Sequence, residues 1–180
     1  MKDFRELSLK RFSCRAYDGR SVDRTLLEKV FADAMLAPSA VNRQPWKFMI
    51  IDAVSDPEGA EIIRGCYERE WLRTASTYIL AIGNHAEAWH RPCDGKDHTE
   101  VDLSIAVEHL CLAAADHGLG TCWVCNFNAP KLSEELGLKA PEEIIAIIPM
   151  GYPAEGTVIP EKKRKPLEEI IMWGRNNGVK

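Results

Sequence analysis

Two guanidinium groups and a hydroxyl fall within five residues in Arg11-Phe12-Ser13-Cys14-Arg15. Arginine presents a rigid, always charged fork of N–H donors, so this set suits bidentate, charge-assisted bonds to a phosphate monoester. A basic surface turn would have the same composition. A second segment runs from Ala37 to Trp46 and presents Ser39, Asn42 and Gln44 between Pro38 and Pro45. Its amides and hydroxyl could read the hydrogen-bonding edge of a heterocycle, or cap neighbouring backbone in a Pro-rich connector. The third is Pro160-Glu161-Lys162-Lys163-Arg164-Lys165-Pro166, a basic run in an acidic chain. Such runs are usually solvated tails. Here the run lies between Gly151-Tyr152-Pro153 and a final apolar stretch, so it could also close over an anion.

Two further groups of residues have metal or redox chemistry in their types. His85, His90, Cys93 and His98 lie within 14 residues, but their spacings of 5, 3 and 5 lack the paired pattern of a strong zinc site. No metal is expected. Cys122-Trp123-Val124-Cys125 has the spacing of thiol–disulfide enzymes, in which the cysteines open a helix. The segment reads instead as a strand, where residues three apart point to opposite faces and the sulfurs do not meet.

The chain of 180 residues is 46% hydrophobic, long enough to bury roughly 70% of its unfolded surface in one core. No repeat or linker divides it, so residues 1–180 are expected to form a single domain. A net charge of −4 argues against broad attraction to nucleic acid or an anionic membrane. The beginning, Met1-Lys2-Asp3-Phe4-Arg5-Glu6, lacks the apolar stretch of a signal peptide, and no window is apolar enough to span a bilayer. A cytoplasmic location with six reduced cysteines is the expectation.

Elements must position these groups. Asp23 followed by Leu26, Leu27, Val30, Phe31, Ala34 and Met35 predicts a capped helix ended by Pro38. Residues 46–51 and 78–82 read as buried strands, with a helix over 58–67 between them. From Thr99 to His117 apolar residues cover more than one helical face, the mark of a helix central to its own fold or shared with a partner; the pattern leaves both open. Gly118 and Gly120 end it. A strand over 121–127, a helix over 129–136, a strand over 144–149 and a helical segment over 166–173 follow. Helices interleaved with a few strands, without a regular strand–helix repeat, predict an α+β fold.

In their order and spacing these segments resemble the nitroreductase family. The resemblance rests on R-x-S-x-R at 11–15, P-S-x-x-N-x-Q-P-W at 38–46, and Gly118-Leu119-Gly120 leading into Trp123-Val124. Gly151-Tyr152-Pro153 and the Lys-x-Arg-x-Pro ending at 162–166 complete the set. It implies a central, mainly antiparallel sheet with surrounding helices in an intertwined homodimer carrying FMN at the subunit interface. Arg11, Ser13, Arg15, Lys162 and Arg164 would hold the phosphate and ribityl chain. Pro38, Ser39, Ala40 and Asn42 of the other subunit would line the flavin, and backbone of Val124, Cys125 and Asn126 would pass near its N5. Phe12 and Cys125 depart from residues frequent at those positions, and the chain is short for the family.

The implied function is an FMN-dependent oxidoreductase that takes electrons from NADH or NADPH and passes them, by a ping-pong mechanism, to nitroaromatic, quinone or similar conjugated small molecules. The cofactor carries the hard chemistry, so no catalytic acid or base is assigned. Trp71, Trp89 and His90 are candidate walls of the substrate space, or packing residues. The alternative is a flavin-binding or metal-binding module without turnover.

Overall fold

The computed structural model describes residues 3–174. Its core is a four-stranded antiparallel sheet in the order β1-β2-β4-β3, formed by β1 (Trp46–Asp52), β2 (Thr77–Asn84), β3 (Gly120–Thr121) and β4 (Glu142–Gly151). The helices are α1 (Phe4–Lys10), α2 (Arg24–Ala34), α3 (Pro57–Cys66), α4 (Thr99–Asp116), α5 (Ala129–Glu135) and α6 (Leu167–Ile170). The chain is α+β, as expected. No described helix is long and apolar enough to cross a membrane.

Strand β2 is buried along its whole length, which is why it reads as an unbroken apolar run. Alternation divides its side chains between the two faces. Tyr78, Leu80 and Ile82 join Ile63 of α3 and Leu132 of α5 on one side. Ile79 and Ala81 join Leu27 and Val30 of α2 and Leu103, Val107 and Leu110 of α4 on the other. The alternation slips in β4, where Ile144 and Ile147 face the first cluster but Ala146 and Ile148 face the second. The register shift between Ala81 and Ile82 explains it: Ala81 pairs with Ala146 and Ile82 with Ile144, leaving Ile145 as the extra residue of a bulge.

Local chemistry sets the helix starts. Asp23 accepts from the Thr25 N–H at 2.8 Å and caps α2. Asp56 accepts from the Gly59 N–H at 2.9 Å, with Pro57 at the position where its missing N–H costs nothing. The short helix α1, capped by Asp3, packs on α4 without a buried residue of its own, and so leaves no apolar pattern in the sequence.

Two expected elements are shorter than expected. In place of a strand over 121–127, only Gly120–Thr121 pair continuously with β4, and Val124 then makes an isolated bridge to Ile147. The register sets Cys122 opposite Pro149. Cys122 N–H donates to Pro149 O at 3.3 Å, but proline has no N–H to return, and the ladder breaks there. The helical segment over 166–173 reduces to one turn, Leu167–Ile170. Leu167, Ile170, Met172 and Trp173 are all exposed, Trp173 by 91%. A helix this short needs packing to persist, and its own chain offers none.

Between β2 and α4, residues 85–98 form a small hairpin in which His90 pairs with Asp97, and Arg91 N–H donates to Lys96 O at 2.9 Å. Its base is pinned by His85, whose Nδ1 lies 2.6 Å from Asp97 Oδ2 and whose Nε2 lies 2.8 Å from Glu143 Oε2 of β4. A neutral imidazole donates only once, so satisfying both carboxylates calls for the imidazolium. The Asp97 bond, then the Glu143 bond, raise the His85 pKa above the usual histidine value. Burial opposes ionisation of Asp97, yet the Thr99 hydroxyl and N–H, together with His85, hold its carboxyl at about 2.

Two stability predictions follow from this packing. A Cβ on Gly83 would stand 2.4 Å from Thr99 Cγ2 and 2.7 Å from Ile145 Cδ1, where α4 starts against the bulge. Gly83→Ala should therefore destabilise the fold by about 1–3 kcal/mol, at roughly 2–4 °C of unfolding midpoint per kcal/mol for a chain this size. An unchanged midpoint would show that α4 does not sit this close. The raised His85 pKa contributes stability that is complete below about pH 6.5 and is lost as pH rises through the folded value. Thermal unfolding of parent and His85→Gln between pH 5 and 9 should give a difference that shrinks toward alkaline pH, by a few degrees at most because the pair is partly solvated.

Candidate functional site

The Arg11–Arg15 segment runs extended beside β3. Cys14 N–H donates to Thr121 O at 2.9 Å, and Ser13 forms a parallel bridge with Thr121. Alternation then sends Phe12 and Cys14 into the core and leaves Arg11, Ser13 and Arg15 on the outer side. Tyr17 anchors the segment from beneath, its buried hydroxyl lying 3.0 Å from Cys14 O and 3.1 Å from Pro149 O. Burial drives that phenol well above its ordinary pKa.

Basic groups from both ends of the sequence gather here. Lys162 Nζ donates to Arg11 O, and Arg11 Nε lies 3.4 Å from Glu108 Oε1 of α4. Burial, then the positive charges of Arg11 and Arg164, pull the Lys162 pKa below its usual value, with Glu108 acting the other way. Arg15 lies over the Trp71 ring at 5.9 Å. Burial pushes the Cys122 thiol up, while Arg15, the Ser13 hydroxyl and Arg11 act to lower it. Arg11, Ser13 and Arg15 thus share one extended segment, Lys162 is bonded to it, and Arg164 is near enough to act on Lys162. Positive charge gathered in this way suits an anion.

The loop over 38–44 is held in an unusual shape. Val41, Asn42 and Gln44 have φ of 53°, 56° and 50°, left-handed values that a β-branched valine adopts only when its surroundings enforce them. Ser39 Oγ accepts from Gln44 N–H at 2.9 Å, and Gln44 Nε2 donates to Asn42 Oδ1 at 3.1 Å. Ala40 N–H donates to Asp102 Oδ1 of α4 at 3.0 Å. Asp102 and Glu108 lie six residues apart, about 9 Å along the helix and on different sides of it. Among the described residues no hydrogen bond or ion pair joins the 38–44 loop to the basic cluster of the same chain.

In the segment that the resemblance sets near the flavin, Val124 is buried and its N–H donates to Ile147 O at 3.0 Å, while Cys125 and Asn126 are exposed. Cys122 is buried and Cys125 exposed, and both are free thiols. The aromatic candidates separate. Trp71 stands beside Arg15 and packs edge-on against Tyr67 at 6.0 Å. Trp89 packs on His98 at 4.9 Å, and His90 Nε2 is 3.6 Å from Asp97, both on the hairpin before α4. His85, His90, Cys93 and His98 do not converge, and no group of three or more potential ligands among the described residues is arranged to hold a metal.

Asp102, Glu108 and Tyr17 were missed by the sequence reading. The available signal was Asp102, an acid set between the apolar residues Val101 and Leu103, whose burial calls for a partner; Glu108 is half-exposed and carried no such signal.

The chain is 36% identical to a nitroreductase family protein from Clostridium difficile 630, whose crystal structure superposes with a TM-score of 0.87 over 97% of this chain and 99% of that one. A protein from Exiguobacterium sibiricum 255-15, crystallised in complex with FMN, superposes at 0.83 over 96% and 98%; at 20% identity it speaks to the fold alone. Iodotyrosine deiodinase 1 from Homo sapiens is 28% identical over 95% of this chain and 68% of its own length. A profile of the Nitroreductase family matches residues 9–65 and 53–152. With that match running from the basic strand through the whole sheet, the chain belongs to the nitroreductase family.

Proposed function

We propose that this protein is an FMN-dependent oxidoreductase, a homodimer of single-domain subunits that moves electrons from NADH or NADPH to a small conjugated acceptor. The observation that carries the proposal is the basic cluster of Arg11, Arg15, Lys162 and Arg164 around the Ser13 strand, a donor set that fits the terminal phosphate of FMN. When bound, FMN supplies the transfer of hydride or single electrons. The chain's residues then bind, orient and exclude water. Val124 N–H is engaged with Ile147, so the amides of Cys125 and Asn126 remain to donate toward negative charge on the ring.

The proposed assembly draws on two surfaces that their own chain leaves open. The outer stripe of α4, with Val101 45% exposed and Ile105 and Leu112 half-buried, would be covered by a second copy. So would the exposed Leu167, Ile170, Met172 and Trp173. A shared site explains why the loop over 38–44 is not joined to the basic cluster of its own chain: each would serve the other subunit's. The relatives named iodotyrosine deiodinase extend the acceptors to be assayed from nitroaromatics and quinones to iodotyrosine.

The purified protein should carry non-covalent FMN, about one per chain, bleached by NADH or NADPH and restored by an acceptor. Arg11→Ala or Arg164→Ala should weaken FMN about 10- to 150-fold, the worth of one charge-assisted phosphate bond, with circular dichroism unchanged. A colourless protein that FMN cannot reconstitute, or folded variants with parental affinity, would overturn the assignment. In a heterodimer of an Arg11→Ala/Arg15→Ala chain with an Asn42→Ala chain, one site collects both lesions and the other neither. About half the parental activity is expected, and activity no higher than the mean of the two defective homodimers would mean that each site is built from one chain.

A further inference from the structure

Asp102 is a carboxylate only 2% exposed in the first turn of α4, where the helix dipole favours its charge. Its Oδ1 accepts from Ala40 N–H at 3.0 Å, and its Oδ2 meets no hydrogen-bond donor among the described residues. Burying a carboxylate for one neutral N–H is costly, and helix stability does not require it, since the Asp102 N–H already donates to His98 O at 3.0 Å in the ordinary helical way. What the carboxylate does hold is the loop whose Val41, Asn42 and Gln44 stand at positive φ. Most of the loop's other hydrogen bonds are between its own residues, Ser39 with Asn42 and Gln44, Ala40 with Arg43, and Asn42 with Gln44, and at its end Trp46 N–H of β1 donates to Gln44 O at 2.8 Å. Those bonds shape the loop and join its end to the adjacent strand, while the Asp102 bond ties its Ala40 side to α4, 62 residues away in sequence.

We propose that Asp102 is a positioning residue that fixes the flavin-lining loop in its binding shape, and so governs FMN affinity in the site built on the partner's basic cluster. The proposal rests on the shared FMN site above. A loop already fixed loses little freedom when the cofactor arrives, and a loop released from α4 has to be ordered by the cofactor itself. What the position demands is an acceptor for one N–H. Asparagine supplies one and alanine does not. The donor can be deleted as well: Ser39 is extended, with φ −138° and ψ 162°, which suits a following proline, and Ala40 opens a short helical turn where proline fits.

Apo forms of the parent, Asp102→Ala, Asp102→Asn and Ala40→Pro would be titrated with FMN by flavin fluorescence, with thermal unfolding alongside. Asp102→Ala and Ala40→Pro should each weaken FMN about tenfold, the double variant no more than either alone, and Asp102→Asn should stay close to the parent. A heterodimer of an Asp102→Ala chain with an Arg11→Ala/Arg15→Ala chain should keep one site of parental affinity, because the loop defect and the phosphate defect fall in the same site. Loss of that site would show that Asp102 supports its own subunit generally, and overturns the proposal. So would a folded Asp102→Ala with parental affinity, or Asp102→Asn as weak as Asp102→Ala. If Asp102→Ala does not fold, Ala40→Pro decides, and parental affinity there overturns the proposal. A parent that fails to bind FMN, or an Asn42→Ala heterodimer that fails to complement, refutes the shared-site reading instead.

Discussion

Burial of the inner face of α4 against β2 and β4 is the interaction on which the rest of the molecule depends. Leu103, Val107 and Leu110 are each at most 1% exposed and contribute roughly 1.5–3 kcal/mol apiece when removed from water. The absence of a side chain at Gly83 lets the start of the helix come down onto the bulged strand. Once α4 is seated, other parts inherit their positions from it. The 85–98 hairpin leads into its first turn, the 38–44 loop hangs from Asp102, α1 packs along it, and Arg11 reaches Glu108. The motifs are far apart in sequence because the rigid piece between them, not proximity along the chain, sets their geometry.

Electrostatics at the basic strand work against folding. Burial, then the charges of Arg11 and Arg164, disfavour the Lys162 ammonium, and a partly solvated pair such as Arg11 with Glu108 at 3.4 Å returns only about 0–1 kcal/mol. The Tyr17 anchor and the strand bridge at Ser13 hold the segment in place despite this. A phosphate arriving there would relieve the repulsion as well as make new bonds, and so would stabilise the folded chain by mass action. The proposed site would therefore favour its bound state electrostatically.

The 38–44 loop follows the same logic in its backbone. Each non-glycine residue in the left-handed region costs on the order of 1–2 kcal/mol, and this loop holds three. Flanking prolines narrow the alternatives of the unfolded chain, the Ser39 and Asn42 side chains close the turn from within, and Asp102 fixes it from outside. Strain concentrated in one polar loop on a rigid base is a usual companion of ligand binding, and it appears at the segment whose amides and hydroxyl suggested a binding role.

What the sequence by itself determined is local. Helical patterning and short apolar runs located α2, α3, α4, β1, β2 and β4 to within about two residues, and the residue types at 11–15, 38–46 and 160–166 pointed to the chemistry proposed for the site. Tertiary structure decided everything that depends on a partner element. Cys122–Phe127 has the composition of a strand, and only the register that sets it opposite Pro149 interrupts it. Residues 166–173 have helical spacing, and only the lack of a surface to pack on leaves them with one turn. Arg11 and Lys162 stand 151 residues apart, so neither composition nor spacing could show that they touch. Asp102 looks in sequence like one more polar residue on an apolar helix; its meaning comes from the Ala40 N–H, because hydrogen bonds and charge interactions depend on distances in space, whereas the patterns readable in a sequence record only which faces turn toward the core.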